Sequence, residues 1–423
     1  ALPDGWRSGF LKPRETAARR AAAAIGSGPL LPALPEPGRR GIGFVLPLFA
    51  LGGVERVVLN QARVLRARGW RTRLVVLGGG GRARLPAEAR AAFDDIALLP
   101  GREFTAADWR HPYFGAEISG LPRAAAEEAV GLLAGLDAVV NTHSLAGHAL
   151  MAPLRRLGAH CYAGLHLVER GGWGEAIGTP HSALAYEHAY DGALVISEGL
   201  AAWCMANGWP AAKLHLVRNA PGHPTPPTVV TAALAARAAR RTGPLRALFL
   251  GRLDAQKGMD RLAALVAETR GVVEWRVVGR PVLDVAMPDL GVPVEPPLSD
   301  PAALDALYAW ADALVLPSRF EGVPLTVLEA QRLGCAVVAT DAGETGESIT
   351  HGEDGFLVPQ RGRAEPAIAA ELAALLRRLA ADPALLLEIG RRAAARVAAT
   401  GWEETMAGFL QHLDGVVPPG GAG

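Results

Sequence analysis

A stretch in the second half of the chain has the residue types of an anion-binding loop. Residues 251–258 read Gly-Arg-Leu-Asp-Ala-Gln-Lys-Gly, so that Arg252 and Lys257 stand five positions apart between glycines. Glycine lets a backbone approach a ligand, the two cations offset negative charge, and the helix predicted to start here adds its dipole. The pattern predicts a site for a phosphorylated ligand, with a solvated surface loop as the alternative.

The lysine in this stretch is unusual for the chain. Of the 43 basic residues, only Lys12, Lys213 and Lys257 are lysines, and all the others are arginines. Lysine supplies a compact point charge that arginine does not. Its presence at position 257 therefore favours the phosphate interpretation over the solvated loop.

A second stretch, residues 317–329, places carboxylates on either side of a helix start. Glu321 falls in a loop, a proline marks the first turn of the predicted helix, and Glu329 lies inside that helix. The backbone amides of Leu325 and Thr326 then point out of the helix N-terminus. This arrangement suits a ligand made of sugar, phosphates and ribose. Acidic residues also favour helix starts for electrostatic reasons, which would account for Glu321 but not for Glu329.

The remaining sequence predicts the elements that position these residues. Apolar strand-like runs alternate with amphipathic helices in two successive segments, which is typical of parallel α/β sheets. Ligands of such open sheets bind beyond the carboxyl ends of the strands, where both stretches lie. We predict an extension over residues 1–40 with a helix at 13–25, an α/β domain over 41–222, a proline-rich linker over 223–244, and a second α/β domain over 245–401.

With both motifs in this order, the chain resembles the GT-B glycosyltransferases of family GT4 over residues 41–416. The most specific features are the Glu-x7-Glu pattern from Glu321 to Glu329 and the loop at 251–258. Residues 334–340 and 352–358 resemble the continuation of that family, and Gly401-Trp402-Glu403 resembles the lead into its last helix. The resemblance implies two Rossmann-like domains that face each other across a cleft, with the helix at 402–416 crossing back onto the first domain.

The resemblance also implies roles for the candidate residues of the second half. Arg252 and Lys257 would bind the diphosphate of a nucleotide-sugar donor, together with the amides of Leu325 and Thr326. Glu321 would bind hydroxyls of the donor sugar, and Glu329 would bind the ribose. Arg252, Lys257 and Glu321 would thereby take part in catalysis.

In the first half, the resemblance points to two glycines and two histidines. Gly52 and Gly53 match a glycine loop near the donor phosphates and the acceptor, although a tight turn would need glycines equally. His143 ends a predicted strand where the family carries a functional histidine, so it would be catalytic. His166 ends the next strand and would serve the acceptor, further from the donor. Without the family, either histidine would more often be a packing residue.

Composition and charge exclude other classes of protein. A net charge of +1 over 423 residues disfavours nucleic-acid binding. No apolar run reaches the ~18–20 residues of a membrane span, and no secretory signal is visible, so we expect a cytoplasmic protein. A membrane-facing location at the inner surface is an option, because the arginines at positions 56, 63, 66, 68, 71 and 73 could form a basic edge for anionic lipid or glycan.

Cofactor chemistry is not indicated by the sequence. The three cysteines are widely spaced and form no CxxC pattern, which argues against a zinc site or a disulfide framework. No two aspartates are two residues apart, so the D-x-D metal motif of the other main glycosyltransferase fold is absent. We expect no metal and no cofactor besides the nucleotide-sugar substrate.

The expected function is that of a retaining glycosyltransferase. It would move a hexose-type sugar from a nucleoside-diphosphate sugar to a glycan, lipid-linked or other hydroxyl acceptor, in the synthesis of cell-surface polysaccharide or glycoconjugate. The alternative is an inactive GT-B module that binds nucleotide sugar within a larger assembly. A dehydrogenase is a third interpretation, supported only by residues 78–83, which formally satisfy a dinucleotide fingerprint at an unsuitable place in the chain.

Overall fold

The computed structural model describes residues 38–47, 49, 52–77, 85–99, 123–170, 176–240, 243–281 and 287–418. The helix predicted at 13–25 and the glycine-rich residues 78–83 lie outside the described residues. The chain folds into two compact units. The first unit has three segments: the described residues up to Gly164, then Ala185–Ala193, and then the described residues from Leu413 onward. The second unit consists of Leu165–Leu184 and Leu194–His412.

The strands of the first half form a sheet of seven, with a separate two-stranded hairpin. The strands are β1 (Gly41–Leu46), β2 (Arg71–Leu77), β3 (Asp95–Leu99), β4 (Ala138–Thr142), β5 (His160–Leu165), the hairpin strands β6 (Glu169–Arg170) and β7 (Ala176–Ile177), β8 (Gly192–Val195) and β9 (Leu214–Leu216). The sheet order is β3-β2-β1-β4-β5-β8-β9. β1 pairs in parallel with β2 on one side and with β4 on the other, so the first strand of the chain lies inside the sheet.

Helices connect these strands, as expected when parallel neighbours require crossovers. They are α1 (Gly53–Ala67), α2 (Ala89–Ala92), α3 (Arg123–Leu133), α4 (Leu145–Arg156), α5 (Gly178–Ala185) and α6 (Glu198–Ala206). α1 is amphipathic: Val57, Val58, Ala62 and Leu65 are buried, although Glu55 is buried as well. The hairpin of β6 and β7 was not predicted, because two-residue strands are too short to show an alternating pattern.

The second half repeats the same topology. Its strands are β10 (Leu245–Arg252), β11 (Val273–Arg280), β12 (Val294–Glu295), β13 (Ala313–Leu316), β14 (Ala336–Thr340) and β15 (Phe356–Val358), in the order β12-β11-β10-β13-β14-β15. Every pairing in this sheet is parallel. Both sheets thus have the 3-2-1-4-5-6 order of the doubly wound dinucleotide-binding fold. The prediction of two Rossmann-like sheets is confirmed.

The helices of the second half cover both faces of this sheet. They are α7 (Pro227–Ala239), α8 (Met259–Glu268), α9 (Pro301–Trp310), α10 (Leu325–Arg332), α11 (Glu365–Ala381), α12 (Pro383–Val397) and α13 (Trp402–Val416). One core cluster joins α9 and α10 to the sheet, and another joins α11 and α12 to it. The predicted linker over 223–244 needs correction, because α7 lies inside it. Val229, Val230 and Ala233 of α7 pack into the first of these clusters.

The end of the chain returns to the first unit. Nη1 of Arg40, next to β1, pairs with Oδ1 of Asp414 and donates to the carbonyl oxygen of Val417 at 3.1 Å. These contacts attach the end of α13 to the start of the first sheet. Among the described residues, no helix combines the length and hydropathy that crossing a bilayer requires.

Most arginines of the candidate basic edge form ion pairs within the first unit. Each of five arginines has an acidic partner: Arg56 and Arg63 pair with Glu88, Arg66 with Asp94, and Arg71 and Arg73 with Asp95. These five arginines share three carboxylates, so the pairing lowers the positive charge of the edge without cancelling it. A membrane contact at this edge stays a prediction.

The three cysteines are buried and reduced. Cys161, Cys204 and Cys335 are each enclosed by the core. Burial raises the pKa of the Cys161 and Cys204 thiols to about 12, and burial also raises the pKa of Cys335. They are structural side chains, as their spacing predicted.

Candidate functional site

The loop at 251–258 links the end of β10 to α8 through one turn of 3₁₀-helix. Oδ1 of Asp254 caps this turn by accepting a hydrogen bond from the backbone amide of Lys257 at 3.1 Å. Gly258 follows with φ of +70°, and any side chain there would collide with the carbonyl oxygen of Pro317. Glycine is therefore needed both for the backbone conformation and for close packing of this loop against residue 317.

An ion pair joins the two motifs of the second half. Nζ of Lys257 lies 2.5 Å from Oε1 of Glu321, which also accepts a hydrogen bond from the Ser318 hydroxyl at 2.6 Å. The two charged side chains are only 14% and 7% exposed. Two residues 64 positions apart in sequence are thus brought together in a site largely shielded from water.

Arg252 belongs to the same loop as Lys257, and its side chain is more exposed to solvent than those of Lys257 and Glu321. Its side chain is 42% exposed, with Nη1 at 3.0 Å from Oδ2 of Asp254 and Nη2 at 2.6 Å from Oε1 of Gln256. The Gln256 amide in turn donates to the carbonyl oxygen of Phe320 at 3.1 Å. A guanidinium has five N–H donors, so these partners orient Arg252 and leave donors available for an anion.

The start of α10 supplies the predicted backbone amides. Pro324 is the N-cap residue, and Leu325 and Thr326 are the first two helical residues. The first amides of a helix have no carbonyl partner within it. They lie only a few residues after Glu321 in the chain. The structure therefore begins this helix where the sequence predicted it, and a role for its first amides in binding a ligand stays a prediction.

Glu329 is buried and has partners within the protein. Oε2 accepts a hydrogen bond from the Tyr308 hydroxyl at 2.6 Å, and Oε1 accepts one from the backbone amide of Gly222 at 3.0 Å. Nδ1 of His223 lies 3.5 Å from the same Oε1. The sequence did not predict this structural environment for the carboxylate. Each carboxylate oxygen can accept two hydrogen bonds, so a ribose role stays a prediction.

His166 lies closer to the donor motifs than its sequence position suggested. It follows β5 and is buried, and its carbonyl oxygen packs so tightly against Gly322 that a side chain at 322 would collide with it. Since Gly322 is adjacent to Glu321, the main chain of His166 lies beside the second motif, and the distance of its side chain from the donor stays a prediction. An acceptor role for His166 stays a prediction.

Glu169, in hairpin strand β6, is a further acidic residue of this region. It is buried, and burial raises the pKa of its carboxyl to about 7, with the positive charge of Arg252 acting in the opposite direction. Nothing in the local sequence relates Glu169 to the loop at 251–258, so this residue was not predicted.

The remaining candidates belong to the first unit. Gly52 is the N-cap of α1 and Gly53 its first residue, with open space around the latter. His143 directly follows β4 and is the only non-glycine residue with positive φ, +59°, in the part of the chain that the structure describes. A left-handed conformation costs most residues about 1–2 kcal/mol. Such strain is concentrated at functional positions, which is consistent with the predicted importance of His143.

A second histidine near His143 is a packing residue. Nδ1 of His148 lies 2.6 Å from the Tyr190 hydroxyl, and its ring stacks on Tyr186 with centroids 5.1 Å apart. Burial, followed by the charge of His143, lowers the pKa of His148 to about 3. It is therefore neutral at physiological pH, and it was given no functional role from the sequence.

The structure gathers seven candidates in the second unit and three in the first. Those in the second unit are His166, Arg252, Lys257, Glu321, Leu325, Thr326 and Glu329, and those in the first are Gly52, Gly53 and His143. Ser318 and Asp254 lay inside the two motifs and could have been found as capping or hydrogen-bonding residues. Within the described residues, no group of three or more His, Cys, Asp or Glu side chains is arranged to hold a metal ion. Operation without a metal stays a prediction.

Comparison with known sequences finds glycosyltransferases for both halves. Residues 51–220 match the family described as Glycosyltransferase Family 4, and residues 244–378 match the family described as Glycosyl transferases group 1. D-inositol 3-phosphate glycosyltransferases from Pseudarthrobacter chlorophenolicus and an Arthrobacter species are 34% and 32% identical over 191 and 190 residues. Each match covers 41% of this chain and 44% of the relative, so less than half of each relative is matched.

Solved structures resemble the chain over most of its length. Anabaena HepE, solved with UDP and glucose, has a TM-score of 0.67 and 16% identity, and the match covers 89% of this chain and 100% of HepE. Sucrose-phosphate synthase from Thermosynechococcus elongatus has a TM-score of 0.65 and 18% identity, and the match covers 89% of this chain and 99% of the synthase. At such identities the likeness concerns the fold. The chain has the two-domain, Rossmann-like GT-B fold, and its two halves match the group 1 and family 4 glycosyltransferases.

Proposed function

We propose that this chain is a retaining glycosyltransferase that moves a hexose-type sugar from a nucleoside-diphosphate sugar to a hydroxyl acceptor. The observation that carries the proposal is the ion pair of Lys257 and Glu321, because it joins the anion-binding loop to the Glu-x7-Glu motif. Arg252 and the start of α10 belong to the same unit. Cations, helix-terminal amides and a carboxylate are the groups that a nucleotide sugar requires.

The proposed chemistry follows from these groups. As the bond between the anomeric carbon and the diphosphate oxygen breaks, negative charge grows on the leaving diphosphate. Arg252, Lys257 and the amides of Leu325 and Thr326 would stabilise that charge. The Lys257 ammonium has three N–H donors, so it can hold Glu321 and a phosphate oxygen together. Glu321 would then orient the sugar hydroxyls, and Glu329 would bind the ribose.

The relatives suggest which substrates to test first. HepE was solved with UDP and with UDP-glucose, and the partial sequence relatives are named for D-inositol 3-phosphate. We therefore place UDP-sugars first among the donors. The acceptor candidates are D-inositol 3-phosphate, glycans and lipid-linked sugars. A role in cell-surface polysaccharide or glycoconjugate synthesis in the cytoplasm belongs to the same proposal.

A two-stage experiment tests the proposal. First, UDP, GDP and ADP are screened by thermal shift, because a ligand that binds only the folded state raises the melting temperature. Then release of the nucleoside diphosphate from the matching sugar donors is measured with and without each acceptor. Release that an acceptor accelerates is the expected result. Binding without any release would indicate the inactive module, and the absence of binding by all three nucleotides would overturn the proposal.

A further inference from the structure

Behind Glu329 lies a buried polar cluster, made of His223, Thr225, Asp305, Tyr308, Glu329 and Arg332. The imidazole of His223 stands between the two carboxylates of the cluster. Its Nε2 is 2.8 Å from Oδ1 of Asp305, and its Nδ1 is 3.5 Å from Oε1 of Glu329. His223, Asp305 and Glu329 are 3%, 4% and 7% exposed. The ring is therefore placed to connect Glu329 with a second acid.

The other members of the cluster fix this arrangement. The Thr225 hydroxyl donates to Oδ1 of Asp305 at 2.7 Å, and Nη1 of Arg332 donates to the carbonyl oxygen of His223 at 2.6 Å. The Arg332 guanidinium also approaches Asp305 at 3.8 Å. Tyr308 holds the opposite oxygen of Glu329. These contacts hold the backbone and both carboxylates around the ring.

The charges of the cluster balance only when His223 is protonated. Asp305 and Glu329 carry two negative charges, and Arg332 carries one positive charge. A buried group with an uncompensated charge is costly, so a second cation is favoured here. A neutral ring would also direct a lone pair at one of the two carboxylates, whereas an imidazolium presents an N–H to each.

We propose that His223 is a positioning residue whose imidazolium holds Glu329 in place for the ribose hydroxyls of the donor. The inference rests on the proposed function, because it uses the ribose role of Glu329. Its consequence is that the ribose-dependent part of nucleotide affinity depends on pH. When the ring loses its proton, Oε1 of Glu329 loses one partner and faces a lone pair instead.

The direction of this dependence follows from the groups around the ring. Burial by itself would lower the pKa of His223, but the hydrogen bond and charge of Glu329 and the hydrogen bond of Asp305 raise it above its ordinary value. They do so against the charge of Arg332, whose Nη2 lies 3.3 Å from Nε2 of the ring. The imidazolium is therefore present below the raised pKa and is lost as the pH rises through it. Affinity for the ribose should weaken towards alkaline pH.

The test compares UDP with 2′,3′-dideoxy-UDP, which lacks both ribose hydroxyls. Calorimetric titrations at several values between about pH 6 and 9.5 give the ratio of the two affinities. The ratio largely cancels the titration of the diphosphate, which both ligands share. We expect the wild-type preference for UDP to fall by about fivefold to tenfold towards alkaline pH, roughly the net contribution of one ordinary hydrogen bond. This series needs no variant.

Two variants complete the test. In His223→Gln the preference for UDP should be reduced at the acidic end of the series and independent of pH, while affinity for the dideoxy ligand stays within about twofold of the wild type. Thr225→Val, which removes another partner of Asp305 but no charge, should keep the wild-type preference and its pH dependence.

A pH-independent preference in the wild type would overturn the proposal, as would equal losses for both ligands in His223→Gln. If the wild type binds UDP without preferring it to the dideoxy ligand, the ribose role fails, and this inference fails with it. If it binds no nucleotide, the proposed function fails.

Discussion

Nζ of Lys257 lies 2.5 Å from Oε1 of Glu321, so a single ion pair links the glycine loop to the Glu-x7-Glu motif. Neither side chain is in a position to act alone. Lys257 must hold the carboxylate as well as any phosphate, and Glu321 keeps a cation beside the place where a sugar would lie.

Arg252→Ala and Lys257→Ala should each weaken binding of free UDP. Loss of a hydrogen bond between charged groups costs about 1.5–3 kcal/mol, or roughly tenfold to a hundredfold in affinity. Isothermal titration calorimetry measures the change. Arg392→Ala is the matched control, because Arg392 forms an ordinary i,i+4 pair with Glu388 on the surface of α12. Unchanged affinity in both site variants would remove the diphosphate assignment.

Glu321→Ala should lower turnover of the sugar donor and leave affinity for free UDP nearly intact. The reason is that the proposed contact of Glu321 is to the sugar, while Lys257 keeps its charge. Glu329→Gln should weaken UDP and the sugar donor alike, since ribose is common to both. Steady-state kinetics and calorimetry separate the two effects. A similar loss of free UDP binding in both variants would show that the division of roles is wrong.

His143→Ala should lower the transfer rate by about 10²-fold, the scale of a positioned catalytic group, with donor affinity within a few-fold of wild type. Because His143 has a φ of +59°, alanine there also carries backbone strain. His143→Asn controls for this, since asparagine tolerates that conformation and cannot replace the imidazole. Both variants should lose activity, and asparagine, which tolerates that conformation, should be the more stable of the two. Normal turnover in His143→Asn would make His143 a packing residue.

Gly258→Ala should destabilise the protein more than Gly362→Ala. The two glycines have nearly the same φ, +70° and +71°, but only Gly258 packs against a carbonyl oxygen, whereas Gly362 has open space. The left-handed conformation alone costs about 1–2 kcal/mol, and the collision with Pro317 adds to it. Urea unfolding gives both free energies, and UDP affinity should fall only in Gly258→Ala. Equal effects would show that the contact with Pro317 is unimportant.

Much of the fold could be predicted because buried parallel strands have a strong local signal. The apolar runs Ala-Val-Val-Ala at 336–339 and Phe-Leu-Val at 356–358, for example, form β14 and β15. α7 was not predicted, because the prolines before it and at its first position suggested a linker. Pro227 in fact occupies the first helical position, which proline favours, so the same residue signals both a break and a start.

The site could be predicted only where its residues share a motif. The spacing of Glu321 and Glu329, and the cations of the loop at 251–258, were visible in the sequence. Tyr308 and His223, which contact Glu329, lie on different elements 21 and 106 residues away, and only folding brings them together. The pairing of the arginines near α1 with Glu88, Asp94 and Asp95 was hidden for the same reason.

The burial of Cys161, Cys204 and Cys335 makes the natural sequence suitable for fluorescent labelling. Thiolates are the species that react with maleimides, and these three thiols are both enclosed and protonated. A cysteine introduced at Leu157, which is 59% exposed in the first unit, or at Val294, which is 45% exposed in β12 of the second, would then react selectively. A doubly labelled Leu157→Cys/Val294→Cys protein would report by energy transfer on the distance between the two units as substrates bind, with every native cysteine retained.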